Sequence, residues 1–248
     1  MNLLICESYD ALSKTAADMV VEQLKQKPAS LLCFPSGESP TGMLKYLVNY
    51  GIEGKADFSK CFFIGLDEWL GMSSNSEGSC SHYLYAHFFS PLNIDPAKIT
   101  LFNGLAADPE TECERINSYL AAYGPIDMMI VGVGLNGHLG LNEPGADPEA
   151  RAHVNDLDPL TVTVAQKYFA GETYLTHGLT LGLKNLQEAK TAVLIAGGSK
   201  KAAIIAKALK GEVTPAMPAS IMQRLDNGYV LLDRDAAALL ENPTGSRI

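Results

Sequence analysis

The 248-residue sequence is short of positive charge. Nineteen Lys and Arg stand against 28 Asp and Glu, a formal net charge of −9. Binding to a nucleic-acid backbone rests on Lys and Arg, so nucleic acid is not an expected partner. A small anion remains compatible with this balance, because a few local donors can outweigh the global sign. No apolar run nears the roughly 20 residues that cross a bilayer, so no membrane partner is expected. The segment Met1-Asn-Leu-Leu-Ile-Cys-Glu7 lacks a basic start and meets acid early, unlike a signal peptide. The five cysteines (Cys6, Cys33, Cys61, Cys80 and Cys113) are odd in number and form no CxxC pair. That pattern fits reduced thiols in a cytoplasmic protein rather than a disulfide framework. There is no internal repeat, low-complexity tract or linker, so one domain over residues 1–248 is expected.

What is present alternates. Apolar strand candidates at 3–6, 30–34, 61–66, 99–102, 126–131, 179–183, 191–196 and 229–232 are interleaved with stretches of helical spacing. Those stretches are 11–25, the run after Gly42, 81–89, 108–123, 160–168, 201–209, 218–225 and 235–240. Residues 147–159 are polar and unpatterned. This order predicts an α/β fold, a doubly wound and mainly parallel sheet flanked by helices.

Three stretches carry chemistry. The first is Val131-Gly-Val-Gly-Leu-Asn-Gly-His138-Leu-Gly-Leu-Asn-Glu143-Pro-Gly145. It follows a buried-strand pattern, clears side chains with four glycines between 132 and 140, then supplies an imidazole and a carboxylate. A carboxylate partner fixes a histidine's tautomer and raises its basicity, which suits ring opening or protonation of an alkoxide. The second is Pro35-Ser-Gly-Glu-Ser-Pro-Thr-Gly42, a small, hydroxyl-rich loop between a strand and a helix. Such a loop either cradles an anion or simply caps the helix. A related loop, Gly197-Gly-Ser-Lys-Lys201, adds lysines. The third is Asp67-Glu68, two acids at a strand end, where α/β enzymes collect catalytic groups.

Competing chemistries fit less well. Gly132-Val-Gly134-Leu-Asn-Gly137 matches G-x-G-x-x-G, but Pro144 and two more glycines follow where a dinucleotide fold needs a long helix. No G-x-S-x-G nucleophile elbow and no Walker lysine occur. His138 and Glu143, like His82 and His87, stand five residues apart, off the spacing that sets two zinc ligands on one helix face. Acid–base work on a small phosphorylated molecule remains, with neither cofactor nor metal expected.

Leu66-Asp-Glu-Trp69, the Gly132-to-Pro144 stretch, the Ser36 loop and Gly198-Ser-Lys-Lys201 together resemble the glucosamine-6-phosphate deaminase (isomerase) family, over nearly the whole chain. The related 6-phosphogluconolactonases share the fold but continue with Ser-Leu-Phe-Pro where this chain has Leu-Asn-Glu-Pro. The resemblance implies roles. Asp67 moves a proton between C2 and C1 of an open-chain amino sugar. His138 opens the ring, with Glu143 and Asn136 orienting it. Ser36, Gly37 and Ser39 cradle the 6-phosphate, and Lys201 and Lys167 add charge, Lys167 near a family arginine. The partner implied is a small-molecule sugar phosphate. The variants Leu-Asp-Glu-Trp and Thr180-Leu-Gly-Leu183 look most similar to the galactosamine-6-phosphate branch. Two departures stand out. Asn136 replaces a common Asp; an amide can hydrogen-bond His138 but shares no charge with it. Glu38 lies inside the phosphate loop, where it would repel an anion unless it points away. The fold also serves as a sugar-phosphate-sensing module in transcription regulators; no helix-turn-helix is appended here.

Overall fold

The computed structural model describes residues 1–240. Strand β1 (Asn2–Cys6) leads into helix α1 (Tyr9–Gln26), whose first turn is capped by the Ser8 hydroxyl. Strand β2 (Leu31–Phe34) leads into α2 (Glu38–Ile52), and β3 (Phe62–Gly65) follows. A short strand, β4 (Asp67–Trp69), comes next. Helix α3 (Cys80–Leu84) continues through a π-turn over Tyr85–Phe89, and β5 (Ile99–Thr100) follows. Then come α4 (Pro109–Tyr123), β6 (Met128–Val131), β7 (His153–Asp156) and α5 (Pro159–Ala165). A 3-10 turn over Gln166–Tyr168 extends α5. The chain goes on with β8 (His177–Thr180), α6 (Leu183–Glu188) and β9 (Ala192–Ala196). A 3-10 turn at Ser199–Lys201 opens α7 (Ala202–Lys210). After a 3-10 segment at Pro218–Arg224, β10 (Gly228–Asp233) and α8 (Arg234–Ala237) end the described chain.

Seven strands form one sheet in the order β1-β10-β9-β6-β2-β3-β5, every pair parallel. Its three central strands, β9, β6 and β2, are buried along their whole length, as parallel strands covered on both faces must be. Successive residues alternate between the two faces. Leu31, Cys33, Met129, Val131, Ala192 and Leu194 pack into one core, while Leu32, Phe34, Met128, Ile130, Val193 and Ile195 pack into the other. The single-domain, mainly parallel α/β architecture is the one its alternating pattern predicts. Among the described residues no helix is long and apolar enough to cross a membrane.

Two expectations need correcting. The run 179–183 is not a strand of the main sheet: β8 is His177–Thr180, and Leu183 begins a helix. The stretch 147–159 is not irregular throughout, because it holds β7. Strands β4, β8 and β7 form a second, antiparallel sheet in that order. The polar, half-exposed β7 has no apolar alternation to announce it.

Strand order fixes where a ligand can sit. From β2 the chain builds outward to β3 and β5; from β6 it builds the other way, to β9 and β10, beyond which the first strand, β1, forms the edge. The loops leaving β2 and β6 therefore diverge and open a crevice at the carboxyl ends of two adjacent strands. These are the hydroxyl-rich loop and the glycine–histidine loop.

Candidate active site

One cleft at this crevice is lined by Ser36, Gly37, Ser39, Asp67, Asn136, His138, Lys167 and Lys201. The structure thus brings together every candidate side chain except Glu143, which sits behind His138 and touches it from within. The sequence did not single out Thr161, Tyr168 or Cys80, which also line the cleft.

At one end lies the turn from β2 into α2. The helix N-cap is Gly37, at φ +101°, a conformation that only glycine adopts without strain. Having no side chain, it leaves the helix start without a side-chain cap. Plain capping is therefore not what the loop's hydroxyls do, and the N–H groups of the first turn stay available to an anion. Two lysines reach this end. Lys201 Nζ donates to Val133 O at 2.5 Å, tying the start of α7 to the glycine loop. Burial and then the neighbouring Lys167 lower the pKa of Lys201. Lys167 Nζ lies 2.7 Å from Glu38 Oε2 and 5.0 Å from the centroid of the Tyr168 ring. Glu38 also lines the cleft, but its 74%-exposed side chain turns to Lys167, whose charge offsets the repulsion its position suggested.

At the other end Asp67 begins β4. Two acids share this strand start with different surroundings. Glu68 is fully buried and accepts the backbone N–H groups of Trp69, Cys80 and Ser81 at 2.9 to 3.0 Å, so it anchors the start of α3. Asp67 faces the cleft, and its Oδ1 is buried without a partner. Burial pushes its carboxyl up to about 7, with Glu68 adding to the rise, while Cys80 and His138 work in the opposite sense. The Cys80 thiol beside it is pushed well above its usual value by burial and then by Asp67, which leaves it protonated and unreactive.

His138 stands across the cleft. Its Nδ1 lies 3.3 Å from Glu143 Oε2 and 3.1 Å from Thr161 Oγ1. Asn136 Nδ2 donates to the same Glu143 oxygen at 2.7 Å, and its Oδ1 accepts the His138 backbone N–H at 3.2 Å. Asn136 therefore acts on the imidazole through Glu143 and the backbone, not by touching the ring. Burial pushes the Glu143 carboxyl up, but hydrogen bonding from His138, Thr161 and Asn136 outweighs it and leaves the pKa below the usual value. The carboxylate is held charged where it can orient Nδ1 and leave Nε2 to face the cleft. The ring rests over Gly134, where a Cβ would come within 2.4 to 2.5 Å of three ring atoms. That close approach is why the glycine run is bare at this point.

No signal in the segment around Thr161 distinguishes its hydroxyl from that of Thr163. Its contact with His138 spans 23 residues and exists only once α5 folds over the cleft. Among the described residues no group of three His, Cys, Asp or Glu side chains gathers as a metal-holding cluster.

Comparison with known proteins bears on the family and the fold. The family model described as glucosamine-6-phosphate isomerases/6-phosphogluconolactonase matches residues 7–231. A glucosamine-6-phosphate deaminase of Thermoanaerobacter sp. (strain X514) is 34% identical over 241 residues, covering 97% of this chain and 95% of its own. One from Clostridium botulinum (strain Kyoto / Type A2) is also 34% identical over 241 residues, covering 97% and 99%. The solved structure of a monomeric glucosamine-6-phosphate deaminase superposes with a TM-score of 0.93 at 31% identity, over 96% of this chain and 100% of that one. The 6-phosphogluconolactonase of Trypanosoma brucei, at 16% identity and a TM-score of 0.77 over 97% of this chain and 98% of its own, shares the fold. The chain belongs to the glucosamine-6-phosphate deaminase family, within the wider group of glucosamine-6-phosphate isomerases and 6-phosphogluconolactonases.

Proposed function

We propose that this chain is an amino-sugar 6-phosphate deaminase that converts glucosamine 6-phosphate or its galactosamine epimer to the ketose 6-phosphate and ammonia. One observation carries the reading: a half-buried carboxylate whose Oδ1 has no hydrogen-bond partner and a carboxylate-oriented imidazole face the same cleft, with an uncapped helix start and two lysines at its far end. The phosphate seats on the loop of Ser36, Gly37 and Ser39, with Lys201 and Lys167 supplying charge. His138 moves the proton that opens the hemiacetal, held by Glu143 and Asn136. Asp67 takes the proton from C2, giving an enolamine, and returns it to C1. The resulting iminium at C2 adds water and releases ammonia, so the sequence is redox-neutral overall.

Lactone hydrolysis would give a base at Asp67 no proton to move between carbons, and the loop departs from the lactonase pattern after His138. The choice between epimers rests on motif variants for galactosamine and on the names of relatives for glucosamine. Turnover of both sugars by the same preparation decides it. The test of the reaction itself is Asp67→Asn. Ammonia release should fall about 10²- to 10⁴-fold, the usual contribution of a general base, while glucosamine 6-phosphate still binds. Near-normal turnover in that variant would remove Asp67 from the mechanism.

A further inference from the structure

We infer that Glu38 sets the phosphate affinity of the cleft by competing with the phosphoryl group for the Lys167 ammonium. The inference rests on the reading of the cleft as a sugar-phosphate site. Glu38 is the first residue of α2, immediately after the glycine that opens the helix start. Its carboxylate does not fold back on the helix. It reaches across to the 3-10 turn after α5 and meets Lys167 Nζ at 2.7 Å. The Lys167 hydrogen bond holds the Glu38 carboxyl below its usual range. Burial works against the charge on Lys167, but Glu38 and Tyr168 together outweigh it and raise its pKa.

A second contact joins the same two segments. The Tyr168 hydroxyl lies so close to Gly37 that a Cβ there would come within 3.2 Å of it. Residues 167–168 are thus set against residues 37–38, and the Lys167 ammonium stands beside the loop that would hold the phosphate.

The two lysines differ in how freely they can change partner. Lys201 is half-buried and committed to a backbone carbonyl of the glycine loop. Lys167 is bound to an exposed carboxylate, and an exposed ion pair is worth little. A phosphate dianion seated on helix N–H groups offers more charge in a less solvated place, so Lys167 can pass from Glu38 to the phosphate. Each binding event must first break the Glu38 pair, and each product release re-forms it. Glu38 therefore weakens binding of substrate and product alike, and it does so through Lys167 rather than through direct repulsion.

The experiment is a two-by-two set of Glu38→Gln and Lys167→Ala, read by KM and kcat for glucosamine 6-phosphate and by calorimetric binding of inorganic phosphate. Glu38→Gln alone should lower KM and the phosphate dissociation constant by a matching factor, about two- to fivefold as expected of an exposed pair, without raising kcat. In the Lys167→Ala background the same change should leave both constants unaltered. The idea is overturned if Glu38→Gln leaves phosphate binding unchanged or weakens it. It is equally overturned if the gain persists undiminished without Lys167, which would make Glu38 a simple repulsive charge. A wild-type protein that turns over amino-sugar phosphate but shows either result loses only this inference. One that neither releases ammonia nor binds phosphate loses the sugar-phosphate reading with it.

Discussion

Asp67 and Glu68 are adjacent carboxylates that the fold treats in opposite ways. Three backbone N–H groups bind Glu68, whereas Oδ1 of Asp67 has none. One acid is spent on holding α3 in place; the other keeps one oxygen without a partner where a substrate would lie.

That contrast predicts a pH dependence. Burial raises the Asp67 carboxyl from 3.8 to about 7, so as a base it becomes available only as the pH climbs through that value. kcat/KM for ammonia release should therefore rise with pH around 7. Stability should move the other way. A carboxyl raised in the folded state binds more protons there than in the unfolded chain, so its contribution declines as pH rises between these two values. Asp67→Asn removes the buried charge while keeping the shape. Its thermal midpoint should exceed that of the wild type at pH 8 and approach it near pH 4, as scanning calorimetry can show. An equal difference at both pH values would mean that the carboxylate is compensated after all.

Gly134→Ala places a methyl under the His138 ring, where three ring atoms lie within 2.4 to 2.5 Å of it. The ring must shift or the loop must deform. Overpacking of this kind costs about 1–3 kcal/mol, and much of the activity should go with the displaced imidazole. Denaturant unfolding gives the first quantity and ammonia release the second. A fully active Gly134→Ala enzyme would show that the ring need not lie where it does.

Thr161 Oγ1 lies 3.1 Å from His138 Nδ1, where it would position the ring. Thr161→Val keeps the volume but removes the hydroxyl from Nδ1. Loss of one such hydrogen bond should lower kcat about two- to tenfold with little change in KM, and Thr161→Ser should restore it. A merely structural threonine would lower the melting temperature and leave kcat alone.

Asn136→Asp tests the amide. Its Nδ2 stands 2.7 Å from Glu143 Oε2, so a carboxylate there would set two like charges in contact. Such a pair retains a proton to higher pH than either acid alone. Activity in the variant should begin to fall at a higher pH than in the wild type when both are acidified. Superimposable pH profiles would show that the group at 136 has no part in the proton handling.

Most of the cleft was legible beforehand because its residues lie in short loops directly after apolar strands, a pattern that survives without tertiary detail. Asp67, His138 and the Ser36 loop each follow such a strand. The division of labour between Asp67 and Glu68 was not legible, since it depends on backbone N–H groups from residues 80 and 81 folding back on the second acid. Thr161 escaped notice for the same reason: only the placement of α5 makes one hydroxyl of that helix different from the next. The partner of Glu38 was equally out of reach, being 129 residues away along the chain at Lys167. The antiparallel sheet was missed because β7 is half exposed and carries a single apolar side chain, Val154, in four positions.

That small sheet has a bearing on how the cleft is assembled. The proposed base stands on β4, in the antiparallel sheet, while the phosphate loop and His138 follow strands of the parallel one. Leu181 N–H to Leu66 O at 2.8 Å extends the β4–β8 ladder back to the end of β3, and Leu141 N–H to Thr180 Oγ1 at 3.1 Å ties the glycine–histidine loop to the small sheet. A substitution at these contacts would slide Asp67 relative to His138 while leaving the phosphate anchor untouched. The proposed base and the proposed ring-opening imidazole are thereby carried by different sheets, so their spacing is set at these few contacts rather than within either sheet.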